Sequence, residues 1–84
     1  MAGHAYGSVL SRDGLDARDR ELLAVVMLAA TGHDRQLASH ARGAIRCGAE
    51  PQEVTAALDV VEDLVPSARM QRARDVTARF TRAD

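Results

Sequence analysis

The chain of 84 residues contains no lysine, and all eleven of its basic residues are arginines. No Schiff base or activated amine can therefore form on it. Tryptophan is also absent, and the aromatic content of 2% is Tyr6 and Phe80 alone. That removes the stacking platforms on which single-stranded nucleic acid is held. One cysteine, Cys47, excludes an internal disulfide framework and a four-thiolate zinc site. The longest apolar run, Leu22 to Ala30, is about half of a membrane span. The opening Met1-Ala-Gly-His-Ala-Tyr-Gly-Ser lacks the charge-then-apolar order of a signal peptide. A net charge of −1 gives no bulk electrostatic grip on DNA or RNA. These absences predict a cytoplasmic protein with no nucleic-acid partner and no membrane partner.

What is present is a 46% hydrophobic chain, enough to fold. At this length folding buries only about 60% of the unfolded surface, so a lone domain is marginal. Glycine and proline divide the chain into pieces with helical periods. Residues 1–15 are expected to be irregular, with a turn at Ser11 to Gly14, and residues 16–84 to form one helical domain. Asp16 is the expected N-cap of a first helix running to about Ala30, with Asp19 and Glu21 acidic near its start. Its body, Leu22 to Ala30, is apolar on every face, which predicts cover on several sides and hence a subunit interface. Thr31-Gly32 stops it. A second helix is expected from Asp34 to Cys47, with Leu37, Ala41, Ala44 and Ile45 as its stripe, ended by Gly48. Pro51 suits the first position of a third helix, striped by Val54, Ala57, Leu58, Val61 and Leu64. Pro66 opens a fourth, striped by Met70, Ala73, Val76 or Thr77, and Phe80. No segment alternates with period two. The expected fold is all-α, with four helices and short connections.

Charge divides between the last two helices. Glu50 to Asp63 holds five acids and no base, whereas Ser67 to Asp84 holds five arginines against two aspartates. One reading is a basic helix for an anionic ligand or nucleic acid. The other, favoured by local cancellation and the lack of interleaved aromatics, is a pair of neighbouring helices with complementary solvated faces.

Few side chains can carry chemistry. His33 and His40 share a face but stand about 10 Å apart along the helix axis, so one metal cannot take both without further ligands. No metal site is expected. Cys47, near a helix end, reads more readily as a small buried residue than as a nucleophile. His40 is flanked by Ala38, Ser39 and Ala41, then Arg42-Gly43, and such small neighbours leave room for a group to approach its ring. A surface or core histidine would satisfy the same pattern. Glu21 is equally open: a first-turn acid favoured by the helix dipole, or a partner for His40, depending on how the first two helices pack.

Several stretches from Ala5 to about Leu58 together resemble the carboxymuconolactone decarboxylase family. They are Tyr6-Gly7, Ser11-Arg-Asp-Gly-Leu-Asp16 and Arg20-Glu-Leu-Leu23. They continue with Leu28-Ala-Ala-Thr-Gly-His33, Gln36-Leu-Ala-Ser-His-Ala-Arg-Gly-Ala44 and Gly48-Ala-Glu-Pro-Gln-Glu-Val54. The block from Leu37 to Val54 is the most specific. Alkyl hydroperoxidase D-like members of the same superfamily carry C-x-x-C-x-x-x-H after an upstream Glu. With that His placed on His40 and that Glu on Glu21, the cysteine positions fall on His33 and Gln36. Dithiol peroxidase chemistry needs an attacking and a resolving thiol, so the resemblance is to the decarboxylase branch.

The resemblance implies an alkyl hydroperoxidase D-like helical subunit in a homo-oligomer, trimer or hexamer. It also implies a small anionic substrate and no cofactor. The family's type reaction removes carbon dioxide from 4-carboxymuconolactone, a step in aromatic compound catabolism. The electrons left behind spread to the lactone carbonyl as a dienolate, which a nearby donor stabilises and a proton donor quenches. His40 is the candidate for proton transfer, because imidazole exchanges protons near neutral pH. Glu21 is the candidate to orient it or relay the proton. Arg42 would clamp the retained carboxylate, since a guanidinium matches a carboxylate in two bonds. His33 would line the same pocket. Asp59-Val-Val-Glu-Asp-Leu-Val-Pro66 is more acidic and about two residues shorter than its counterpart in the family, where that stretch helps wall the pocket. Another lactone or keto acid as substrate, or a non-catalytic module that binds a small acid or a partner protein, therefore stays open beside the type reaction.

Overall fold

A computed structural model describes residues 16–81. The expected irregular segment 1–15, with its turn at Ser11 to Gly14, lies outside the described residues. Within them the chain forms four helices: α1 (Ala17–Thr31), α2 (Asp34–Arg46), α3 (Pro51–Val60) and α4 (Ser67–Thr81). The boundaries have local causes. Asp16 is extended and its carboxylate accepts the Asp19 N–H at 2.9 Å, an N-cap for α1. Gly32 ends α1 in the left-handed region at φ 79°, donating its N–H to the Leu28 carbonyl. Gly48, at φ 105°, turns the chain after α2. Pro51 occupies the first turn of α3, and the Glu53 carboxylate reaches back to accept the Glu50 N–H at 2.8 Å.

The core is one cluster fed by all four helices. Val25 and Ala29 of α1, Leu37, Ala41 and Ala44 of α2, Val54, Ala57 and Leu58 of α3, and Met70 and Ala73 of α4 are buried in it. The choice between Val76 and Thr77 falls on Thr77, which is 1% exposed, while Val76 packs at the margin. Burial costs Thr77 little, because its hydroxyl donates back to carbonyls of its own helix, Ala73 at 3.1 Å and Arg74 at 3.3 Å. Leu64 departs from expectation. α3 ends at Val60, and the chain continues in turns whose N–H groups bond three residues back, Glu62 to Asp59 and Leu64 to Val61. The helical period no longer applies, and Leu64 is 78% exposed.

The opposed charges of the last two helices meet directly. The Arg74 guanidinium donates to Asp59 and to Glu62, both at 2.7 Å. The Asp59 hydrogen bond chiefly holds Arg74 above its ordinary pKa, against a smaller opposing effect of burial. The complementary-face reading therefore holds for the α3–α4 pair. α1 keeps two large apolar side chains outside the core, Leu23 at 48% and Met27 at 65% exposure, and Val60 of α3 is 64% exposed. Among the described residues, no helix is long and apolar enough to cross a membrane.

Candidate functional site

The two-residue break at Gly32-His33 folds α1 and α2 into an antiparallel hairpin. In that register Glu21 lies level with Gly43, one turn beyond His40. Each helical residue rises 1.5 Å, so three residues amount to about 4.5 Å, a distance that a glutamate side chain spans. The Glu21 carboxylate crosses it, and its Oε1 lies 2.6 Å from Nδ1 of His40. Gly43 leaves room for the crossing. A Cβ at position 43 would stand 3.0 Å from Glu21 Oε1 and 3.1 Å from its Cδ, closer than ordinary contact. The room that the small neighbours of His40 were expected to leave is occupied by Glu21.

The pairing fixes the ring. An ionised carboxylate only accepts hydrogen bonds, so Nδ1 carries the proton and donates it to Glu21. In the neutral imidazole, Nε2 is then the basic atom, and among the described residues nothing bonds to it. Both side chains are half-buried, Glu21 at 30% and His40 at 40% exposure. The arrangement is a base held in one tautomer by a carboxylate, able to take a proton at Nε2 and return it there.

The other candidate residues stand apart. His33 is the N-cap residue of α2 and is exposed; its Nδ1 lies 2.7 Å from the Thr31 hydroxyl, which donates to the Met27 carbonyl. Arg42 follows His40 by two residues, about 200° around the helix. It lines a different cleft, between α2 and α4. Within one subunit, therefore, neither His33 nor Arg42 is brought to the Glu21–His40 pair. Cys47, expected to be buried, is exposed at the C-cap of α2. It lies seven residues beyond His40, on the half-exposed side of the helix and not on the buried stripe of Leu37, Ala41 and Ala44, and α2 ends one residue before it. Gly43 is the site residue whose part was least evident from sequence, because the signal is a helical glycine with no conformational need for one. Among the described residues no group of three or more His, Cys, Asp or Glu is placed to hold a metal ion.

An apolar groove of about 460 Å³ runs between α1 and α3, lined by Leu22, Leu23, Val26, Ala57 and Val60 with Asp19 and Glu53 at its rim. Neither His40 nor Glu21 lines it. Comparison with known proteins gives one finding: the model of the carboxymuconolactone decarboxylase family matches residues 1–79. No curated protein matches the chain, and no solved structure does.

Proposed function

The chain belongs to the carboxymuconolactone decarboxylase family, and from that premise we propose that it carries out cofactor-independent decarboxylation, or a related proton transfer, on a small lactone or carboxylic acid. The observation that carries the reading is the 2.6 Å bond from Glu21 to His40 Nδ1. Loss of carbon dioxide from a lactone acid leaves a dienolate that must be protonated at carbon. His40, protonated at Nε2, supplies that proton, and the Glu21 carboxylate stabilises the imidazolium and returns the ring to the same tautomer. Glu21 is therefore the orienting group and His40 the proton donor. The two missing cysteines, at His33 and Gln36, leave no dithiol for peroxidase chemistry.

A homo-oligomer, trimer or hexamer as the family resemblance implies, is part of the same proposal. Leu23, Met27 and Val60 supply the face for it: Leu23 and Val60 line one apolar groove, Met27 is exposed on the same helix as Leu23, and none of the three is buried among the described residues.

Turnover of 4-carboxymuconolactone, followed by loss of its ultraviolet absorbance, tests the chemistry. The parent protein is expected to turn over and His40→Ala to be inactive, with Glu21→Gln retaining a small fraction of the rate. A folded, oligomeric parent protein that leaves this lactone and related keto acids untouched would overturn the enzymatic reading. It would favour a non-catalytic small-acid or partner-binding module.

A further inference from the structure

The cleft between α2 and α4 has no part in the Glu21–His40 pair. It has a volume of about 430 Å³, and its walls carry Arg35, Arg42, Arg72 and Arg79 against Asp34 and Asp75. Four guanidiniums and two carboxylates leave a surplus of two positive charges. Both carboxylates are already engaged: Asp34 accepts from Arg72 Nε at 2.8 Å, and Asp75 from the Gln71 amide at 2.9 Å. Arg79 has its guanidinium carbon 5.3 Å from the centroid of the neighbouring Phe80 ring. Among the described residues no carboxylate pairs with Arg35, Arg42 or Arg79. Three exposed guanidiniums with no ion-pair partner among the described residues thus border one concavity, against the single carboxylate charge of Asp75, which is hydrogen-bonded only to a neutral amide.

We propose that this cleft binds a small oxyanion of charge two or more, a dicarboxylate or a phosphate-bearing molecule. Guanidinium edges hold carboxylate and phosphate oxygens in pairs of parallel bonds, and three of them suit a ligand with several such oxygens. The Ser39 hydroxyl supplies a further donor, while Ala38 and Val76 give an apolar patch for a short carbon skeleton. The volume is in the range of small-molecule sites, which run from about 300 to 1,000 Å³. The site makes no use of His40, so it does not rest on the decarboxylase reading.

The test is arginine side-chain Nε–Hε NMR on the intact chain at constant ionic strength, with succinate, inorganic phosphate and propionate as separate titrants. Succinate or phosphate should produce saturable shifts at Arg35, Arg42 and Arg79, with Arg46, outside the cleft, unmoved. Which of the two binds more tightly distinguishes the carboxylate source from the phosphate source, and propionate should be weak. Arg42→Gln with Arg79→Gln should weaken binding about tenfold or more for each guanidinium lost. Both positions are exposed, and unchanged far-ultraviolet dichroism would show that the variant is folded. His40→Ala should bind as the parent does, which separates this site from the catalytic proposal. Linear shifts shared by Arg46, an equal response to propionate, or unaltered affinity in the double variant would overturn the proposal. So would shifts of the same resonances that depend on protein concentration alone, which would give the cleft to the acidic α3 of a second copy.

Discussion

At position 43 the backbone is ordinary helix, and only Gly32 and Gly48 have positive φ among the described residues. A glycine inside a helix costs about 1 kcal/mol relative to alanine. What position 43 gains in return is the gap through which Glu21 reaches His40. Gly43→Ala should therefore separate stability from function. The gain in helix propensity and the loss of one half-exposed hydrogen bond, about 0.5–1.5 kcal/mol, oppose each other, so urea unfolding should place the variant within about 1 kcal/mol of the parent. The tautomer of His40 should nevertheless change. Long-range ¹⁵N–¹H correlation is expected to show neutral His40 protonated at Nδ1 in the parent and as a mixture in Gly43→Ala and in Glu21→Gln. A single Nδ1–H tautomer persisting in both variants would remove Glu21 from its orienting part. Glu21 and His40 were both visible in the sequence as groups able to do chemistry. Their meeting was not, because it depends on the register of the α1–α2 hairpin and on an absent methyl group.

Among the elements, the C-terminal end of α1 is secured in two ways. Gly32 adopts the left-handed conformation, so that its own N–H and that of His33 both close on the Leu28 carbonyl, at 3.0 and 3.1 Å. α1 has no basic residue in its last turn to offset the helix dipole. Arg69, from α4, does so instead, donating from Nη1 to the Ala30 carbonyl at 2.7 Å. A Cβ at Gly32 would meet the Arg69 guanidinium at no closer than 3.6 Å, so alanine there is strained by its dihedral angles and not by crowding. Gly32→Ala should cost about 1–2 kcal/mol, and each kcal/mol lowers Tm by about 4–8 °C in a domain of this size. Arg69→Gln should cost less, about 0.3–1 kcal/mol, with part of the loss disappearing in high salt. A thermal melt of Gly32→Ala that coincides with the parent's would contradict this account of the helix end. The ends of α1 and the start of α3 were legible because Asp16, Gly32 and Pro51 act locally. The end of α3 was not. The apolar period continues through Leu64, whereas the chain leaves the helix at Val60 and sets Asp59 and Glu62 around Arg74. That clasp is a long-range contact, and no local pattern announces it.

For the molecule as a whole, the unresolved balance is between its size and its apolar surface. A chain this short buries only about 60% of its unfolded surface, yet among the described residues Leu23 and Val60 stand exposed along one groove between α1 and α3, and Met27 stands exposed on α1. The acidic rim of that groove, Asp19 and Glu53, surrounds an apolar centre, the distribution found at specific interfaces. Further copies of the chain, repeated in a closed ring, cover that face on each subunit with a neighbour. The parent protein is accordingly expected to run as a trimer or hexamer in light scattering, with a Tm that rises with protein concentration, as mass action requires when folding and assembly are linked. Leu23→Asp with Met27→Asp places two charges in the contact while disturbing no buried position of the subunit. It should lower the assembly state and abolish the concentration dependence of Tm. If the variant instead fails to fold, the parent's melting curves still decide the matter. A monomeric parent whose Tm is the same across a hundredfold range of concentration would assign this face to something other than its own copies.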